Sequence, residues 1–279
     1  MFLSLFQLIR RFFWREVLPH KPLSDEHRQF LSAKVSFYAQ LADVDKTRFE
    51  QRCAAFIAAT EFVGHDIDVT EHDELLVAAG SVILAWGFPQ WQYVKVDTVA
   101  LVSGSFNENS EFGKADSNIL GLVGTHHLAG KMILSQPALH YGFSNDSDKR
   151  NVAIHEFAHL IDMADGDCDG LPKEISDKAF CLPWLALVQK GIDDINAGRS
   201  GIRRYGATNQ AVFFAVLSEY FFEQPKLLKR KQPLLYQALE SFYRQNRAEL
   251  QTSIRLRKKA PCPCGSGKRY KRCCLVELR

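Results

Sequence analysis

Two histidines and a glutamate in one short stretch have the residue types and the spacing of a metal site. Residues 151–166 read NVAIHEFAHLIDMADG, which places His155 and His159 four residues apart. On an α-helix this spacing puts both imidazoles on one face, where they can chelate a single ion. Glu156 adjoins the first histidine and can reach a metal-bound water without ligating the metal. Because zinc lowers the pKa of such a water to about 7, a nearby carboxylate can take its proton.

The same pattern could also belong to a surface helix with solvated histidines, since His-Glu-x-x-His arises by chance. The neighbouring residues favour a buried helix, because the polar positions are surrounded by Ile154, Phe157, Ala158, Leu160 and Ile161. Buried histidines need polar partners, so the sequence favours a metal ion over solvent. Asp162 follows His159 by three residues. It either orients a histidine through the second ring nitrogen or is simply an acid at the helix end.

Four cysteines towards the C-terminal end form a second candidate metal site. The stretch PCPCGSGKRYKRCC contains Cys262, Cys264, Cys273 and Cys274. Four thiolates can close a tetrahedral zinc site, and Gly265 and Gly267 permit a tight turn between the two ligand pairs. A segment this small has no core of its own, so metal binding would supply its folding free energy. The clustering, without a recognisable signal peptide, favours metal over disulfides and predicts a cytoplasmic location.

The charges around these cysteines predict an interaction module. Residues 252–279 hold nine Lys or Arg residues and one acid, whereas the rest of the chain is net acidic. We therefore predict a module over residues 258–279 that is separate from a domain over residues 1–250. Its basic face consists of Lys268, Arg269, Lys271 and Arg272. An acidic protein is the favoured partner, and nucleic acid is less favoured because Tyr270 alone supplies an aromatic side chain.

The first 20 residues, MFLSLFQLIRRFFWREVLPH, predict an amphipathic helix that packs on the domain or on a partner. Contact with a membrane surface is the alternative. Arg10 and Arg11 interrupt the apolar run, and no signal-peptidase site follows it. We expect no transmembrane segment, since no apolar run in the chain reaches the roughly 18–20 residues that a span needs.

The elements that must position the candidate site follow from periodicity and from breaker residues. Helices are predicted over residues 24–42, 45–64 and 71–88, strands within residues 91–106 and 131–143, an irregular stretch over residues 165–200, a helix over residues 209–223, and two helical pieces that Pro225 and Pro233 punctuate. This pattern, mostly helical with a small sheet, predicts an α+β domain.

The segment HEFAHLIDMADG, together with the later YGATNQAVFFAVLSEYFFEQP, resembles the Mlc titration factor A family of bacterial zinc peptidases. The pair of motifs is shared with the catalytic domain of anthrax lethal factor, and the likeness extends over most of residues 14–245. The resemblance implies a zincin-like metallopeptidase fold with zinc held by two histidines and a glutamate. It implies that His155 and His159 are ligands, that Glu156 is the general base, and that the hydroxyl of Tyr205 stabilises an oxyanion. From the residue type alone, Tyr205 would be a buried structural tyrosine.

One position departs from the family pattern. The family has its ligand glutamate seven residues after the tyrosine, where this sequence has Val212. Valine cannot bind zinc. Glu219 shares the helical face of Val212 but would lie ~10 Å further along the axis. The family implies an acid there beside the ligand glutamate, which favours another role for Glu219, with ligation as the alternative. His126 and His127 are a further source of ligands, although exposed loop histidines are the simpler interpretation.

The cysteine segment resembles the SEC-C motif, which occurs at the end of the SecA translocation ATPase and implies a docking module. Two functions follow from these resemblances. The first is a zinc-dependent, aminopeptidase-like enzyme that acts on short peptides with free N-termini. The second is a catalytically weakened or inactive binding protein that sequesters a glucose-responsive transcriptional repressor, which requires a surface rather than zinc. Val212 favours the second function, and the His-Glu-x-x-His motif with Tyr205 favours the first.

Overall fold

The computed structural model describes residues 21–88, 96–107, 118–124, 129–145, 148–173, 178–250, 259, 261 and 267–273. Several predictions therefore fall outside the described residues: the helix at residues 1–20, the histidine pair His126 and His127, and the ligands Cys262, Cys264 and Cys274. Among the described residues, none of the helices has the length and hydropathy that a bilayer crossing requires.

Helices make up most of the described structure. They are α1 (Asp25–Lys34), α2 (Ser36–Ala39), α3 (Asp43–Ala59), α4 (Glu71–Ala85), α5 (Gln136–Ser144), α6 (Val152–Asp162), α7 (Lys178–Asn196), α8 (Gln210–Glu223), α9 (Pro225–Lys231), α10 (Pro233–Tyr243) and α11 (Arg247–Leu250). Short 3-10 turns cover Met163–Asp165, Arg204–Ala207 and Tyr270–Arg272. With the small sheet described next, they confirm the predicted α+β class.

The sheet has four strands, β1 (Glu61–His65), β2 (Thr98–Val102), β3 (Gly121–Val123) and β4 (Lys131–Ser135). Their order is β1-β2-β4-β3. Strands β1, β2 and β4 are parallel to one another, whereas β3 runs antiparallel to β4, with Leu122 opposite Ile133. Strand β3 is thus at one edge of the described sheet.

Three of the predicted boundaries illustrate where the structure differs from the sequence pattern. The second helix ends at Ala59 rather than Gly64, because the following residues pair with β2 as β1. The strand predicted over residues 131–143 ends at Ser135, whose hydroxyl accepts from the Ala138 N–H and caps α5. The stretch predicted as irregular contains α7, whose Pro183 lies inside the helix.

The core lies where α4, α6 and α8 pack together. Every residue of α4 from Leu75 to Ala85 is buried, and so is every residue of α8 from Ala211 to Glu223. A Cβ added at Gly80 of α4 would lie 2.8 Å from the Cβ of Ala153, so the absence of a side chain permits this close approach of α4 to α6. Helix α6 is therefore held on two sides by apolar helices, and its polar residues are fixed relative to both.

Candidate metal centre

Helix α6 carries the His-Glu-x-x-His motif and begins at Asn151, whose side-chain oxygen accepts from the Ile154 N–H at 3.2 Å. Ala153, Phe157, Ala158 and Ile161 are fully buried in the core. His155 and Glu156 are only 6% and 4% exposed. The prediction that this helix is buried is confirmed, and its histidines are not those of a solvated surface helix.

The two histidine rings of the motif lie side by side. Their centroids are 4.9 Å apart and their planes meet at 82°. Burial lowers the pKa of His159 to about 3, and His155 adds to the shift. His159 is therefore a neutral imidazole at physiological pH, which is the form that binds a metal ion.

Glu219, on α8, binds the far side of His155. Its Oε1 lies 2.6 Å from His155 Nδ1, and its Oε2 accepts from the Asn151 N–H at 2.8 Å. Arg203 donates to the same carboxylate at 2.5 and 3.0 Å, and also to the carbonyl of Lys149 at 2.7 Å. Both carboxylate oxygens are thus engaged by protein groups. Ligation of a metal by Glu219 stays a prediction, and its observed partners are those of a positioning residue.

The charge on Glu219 determines which nitrogen His155 offers. Burial alone would raise the pKa of Glu219, but Arg203 and His155 outweigh it, and the pKa is lowered. An ionised carboxylate accepts a proton from His155 Nδ1, and in a neutral ring with that proton the lone pair is on Nε2. Carboxylate-bound histidines of this tautomer are characteristic of metal ligands.

Glu156 lies against the edge strand β3. Burial raises its pKa to about 7; His155 opposes this shift, the Glu219 carboxylate adds to it, and a bond from the Val123 backbone lowers it slightly. A Cβ at Gly121 would lie 2.6 Å from Glu156 Oε1 and 2.5 Å from a methyl group of Val152, so glycine alone fits this point of β3. The strand therefore fixes the carboxylate of Glu156 next to the motif histidines.

Tyr205 lies in the 3-10 turn before α8 and is 53% exposed. Its ring centroid is 5.8 Å from that of His155, and the Arg203 guanidinium lies 5.6 Å from the same ring. The interpretation as a buried structural tyrosine is wrong. The turn instead presents the ring at the solvent-facing side of the motif.

A cleft of about 330 Å³ joins these side chains. It is lined by His155, Glu156, Arg203, Tyr205 and Glu219, with Asn118, Ile119, Leu120 and Gly121 from the β3 side. His155, Glu156, Tyr205 and Glu219, four of the sequence-predicted residues, therefore share one cavity with an edge strand, and His159 is in ring contact with His155.

The donor set fits a zinc ion at two of the three positions that the family resemblance implies. His155 offers Nε2, and His159 is a neutral imidazole beside it. Val212 is buried in the first turn of α8, where its N–H donates to Asn209 Oδ1 at 2.8 Å, and its side chain contributes no donor atom. Asp162, the proposed orienting residue, is fully buried, and burial raises its pKa to about 6.

The cysteine segment is described in part. Pro261 and Arg269 form an antiparallel bridge, and Gly267 between them has φ of +69°, in the region that favours glycine. Cys273 is 9% exposed and follows the turn Tyr270–Arg272. The four-cysteine site stays a prediction, since its other ligands are outside the described part of the chain.

Sequence reasoning missed two side chains next to the motif. Arg203 neutralises Glu219. The sequence indicates such a partner only indirectly, because a carboxylate within the apolar run of α8 requires a cation from another part of the chain. Cys168 lies with its Sγ 3.7 Å from His159 Nδ1. No spacing pattern pointed to Cys168, because a loop rather than a helix brings it there.

Comparison with known proteins agrees with this geometry. Residues 9–244 match the model of the glucose-regulated metallo-peptidase M90 family, and residues 259–275 match the SEC-C motif. The uncharacterized protein slr2042 of Synechocystis is 29% identical over 243 residues, which cover 82% of this chain and 88% of that protein. Mlc titration factor A of Escherichia fergusonii is 39% identical over 109 residues, which cover 37% of this chain and 41% of that protein. Since the family model spans most of its length, the chain belongs to the glucose-regulated metallo-peptidase M90 family.

Proposed function

We propose that this chain is a zinc-dependent peptidase in which His155 and His159 hold the metal ion. The observation that carries the proposal is the bond from Glu219 to His155 Nδ1, which leaves Nε2 available beside Glu156 and Tyr205 in one cleft. When bound, zinc would polarise a peptide carbonyl and acidify a water molecule.

Glu156 is the general base of the proposed reaction. A pKa of about 7 suits a group that must take a proton from water and then give it to the leaving amine. Its position against β3 keeps the carboxylate away from bulk solvent. Tyr205 would donate its hydroxyl proton in a hydrogen bond to the oxyanion, which lowers the energy of the transition state. Arg203 and Glu219 hold the His155 ring in place throughout.

The substrate we propose is a short peptide with a free N-terminus, as the family resemblance implies. Strand β3 is an edge strand of the described sheet, and its first residue, Gly121, lines the cleft together with the three residues that precede it. An extended peptide can pair with such an edge through main-chain hydrogen bonds. The cleft therefore has a surface for the peptide backbone as well as a base for its hydrolysis.

Glu156→Gln tests the enzyme proposal, because it keeps the shape of the side chain and removes the base. We expect hydrolysis of short peptides, followed by mass spectrometry, to fall by at least about 100-fold, while zinc content stays unchanged. Hydrolysis at the wild-type rate would show that another group does the chemistry. His155→Ala is the companion variant, and it should release the zinc of this site.

A second function, sequestration of a transcriptional repressor, is favoured by Val212, since a binding surface needs no third ligand. The Escherichia and Salmonella relatives are named for titration of Mlc. Zinc analysis separates the two proposals: about two ions per chain, one of them lost in His155→Ala, supports the peptidase. About one ion per chain, lost in Cys264→Ser, leaves metal in the cysteine segment alone. That segment would then dock the chain to an acidic protein through its basic residues.

A further inference from the structure

The loop that follows α6 brings three metal-binding side chains together. His159, Asp162 and Cys168 each offer one ligand atom, and these atoms all lie within 4.8 Å of one another. The set contains an imidazole nitrogen, a carboxylate oxygen and a sulfur. Asp162 is fully buried, whereas Cys168 is exposed.

The loop is held in this form by a chain of contacts. Asp162 Oδ2 accepts from the Gly170 N–H at 2.8 Å, and Trp184 Nε1 donates to the Gly170 carbonyl at 2.7 Å. Gly170 has φ of +78°, and a Cβ there would lie 2.5 Å from the carbonyl oxygen of Gln210. These protein contacts close the loop back onto Asp162, and Cys168 is placed next to His159.

The carboxylate of Asp162 also faces the Cys168 thiol, which interacts with it as a hydrogen-bond partner. Its Oδ1 is buried and makes no closer hydrogen bond within the part of the chain that the structure describes. A buried carboxylate oxygen without a partner is costly, and a cation is the partner that best offsets that cost. Asp162, which carries this oxygen, is one of the three members of the cluster.

The geometry points to a metal site that His159, Asp162 and Cys168 form for a thiophilic divalent cation such as zinc. With Zn–N near 2.0 Å and Zn–S near 2.3 Å, a tetrahedral site separates nitrogen from sulfur by ~3.5 Å. The observed separation of His159 Nδ1 from Cys168 Sγ is 3.7 Å. The exposed side of Cys168 leaves the fourth position open to water. We call this cluster the loop site.

The loop site takes Nδ1 of His159, the nitrogen that faces Cys168. A neutral imidazole has one nitrogen with a free lone pair. A cation at Nδ1 therefore puts the ring proton on Nε2 and withdraws His159 from the ion that His155 would share. The loop site thus competes with the two-histidine site for His159, and it needs no donor at position 212.

Cobalt is a suitable probe, because bound thiolate gives Co²⁺ a strong near-ultraviolet absorption. We would titrate Co²⁺ into the full chain and into Cys168→Ser, and subtract the two spectra so that the thiolates of the cysteine segment cancel. We expect a difference band that saturates at about one equivalent. Cys181→Ser, the matched control on α7, should give no difference from the wild type.

The same subtraction in a His155→Ala background separates the two sites. Persistence of the band shows that the loop site binds without His155. Loss of the band there would mean that Cys168 completes the two-histidine site, which overturns the separate loop site. Because Glu156→Gln reports on hydrolysis and these spectra report on Cys168, failure of one proposal is distinguishable from failure of the other.

Alkylation of the unmodified protein gives a measurement that needs no variant. Zinc should slow the reaction of Cys168 with iodoacetamide at least about tenfold, as followed by peptide mass spectrometry, because a coordinated sulfur is shielded. A flat cobalt difference spectrum with unchanged alkylation would overturn the proposal. Cys168 would then be a protonated thiol whose proton faces Asp162, rather than a metal ligand.

Discussion

Arg203 donates to both carboxylate oxygens of Glu219, at 3.0 and 2.5 Å, and the pair lies directly behind His155. The carboxylate side chain is 2% exposed and the guanidinium side chain 20%. Removing one partner of such a pair leaves a buried charge without compensation, which is far more costly than removing both. The pair therefore links the stability of the domain to the position of a candidate metal ligand.

Arg203→Met should destabilise the domain by about 3–5 kcal/mol, as measured by urea unfolding. The double variant Arg203→Met with Glu219→Gln should recover part of this loss, because no unpaired charge remains. Arg199→Met is the control, since its ion pair with Asp194 is at the solvent-exposed surface and should contribute little to stability. The single variant Glu219→Gln completes the comparison. If the loss of stability in the double variant equals the sum of the losses in the two single variants, Arg203 and Glu219 do not act as a pair.

Gly121→Ala tests the contact between the edge strand and Glu156. The added methyl group would lie 2.6 Å from Glu156 Oε1, so either the carboxylate or the strand must move. We expect a loss of about 1–3 kcal/mol in stability and a lower rate of any peptide hydrolysis, with zinc content unchanged. Gly104→Ala is the matched control, because a Cβ there meets nothing within 4 Å. Equal behaviour of the two variants would show that β3 does not position the Glu156 carboxylate.

Asp73 gives the domain a predictable response to acid. Burial would raise its pKa, but bonds from His140, Thr70 and Gln136 outweigh this and lower it from 3.8 to about 2. A carboxylate with a lowered pKa stabilises the fold above its unfolded pKa, and that contribution is lost as pH falls from 3.8 towards 2. Asp73→Asn should therefore cost about 2 kcal/mol near pH 7, and the cost should shrink as the pH approaches 3.

Asp68→Asn is the control for this pH series, since Asp68 is exposed and bonds to Gln136 through its backbone carbonyl, which the substitution leaves in place. Urea unfolding of both variants at intervals between about pH 6 and pH 3 gives the comparison. A difference between Asp73→Asn and the wild type that stays constant over this range would show that the ionised carboxylate contributes no stability.

The motif helix was predictable because its signal is local. The spacing of His155 and His159 and the apolar residues around them determine both the helix and its burial. Strand β1 was not predictable, since residues Glu61–His65 become a strand by pairing with β2, more than 30 residues later. Helix α7 was missed because Pro183 and Gly191 suggest a break. In the structure, the Phe213 ring occupies the space beside Gly191, where a Cβ would lie 2.3 Å from Phe213 Cζ. Arg203 and Cys168 reach the site through loops, whose paths depend on contacts distant in sequence.

Val212→Glu tests whether the position that departs from the family pattern can be restored. Val212 is 9% exposed on α8, at the position where the resemblance implies a ligand glutamate. Two histidines and a carboxylate would hold zinc and leave the fourth position for water. We expect tighter zinc binding and increased peptide hydrolysis. Because a buried carboxylate without a cation is costly, the melting temperature should also become more dependent on zinc than in the starting protein.

Melting curves with and without a chelator, for the starting protein and for Val212→Glu, measure this dependence. Val212→Gln is the control, because it has nearly the same shape as glutamate without the charge, and it should gain no zinc-dependent stabilisation. If the glutamate variant behaves like the glutamine variant, position 212 does not face the metal ion, and the third donor comes from elsewhere. Glu219→Gln and Cys168→Ser then narrow the choice. Complete loss of zinc in the first would favour ligation by Glu219 over a positioning role, since loss of a positioning residue weakens binding only by about 10–100-fold. Loss in the second alone would assign the metal to the loop site.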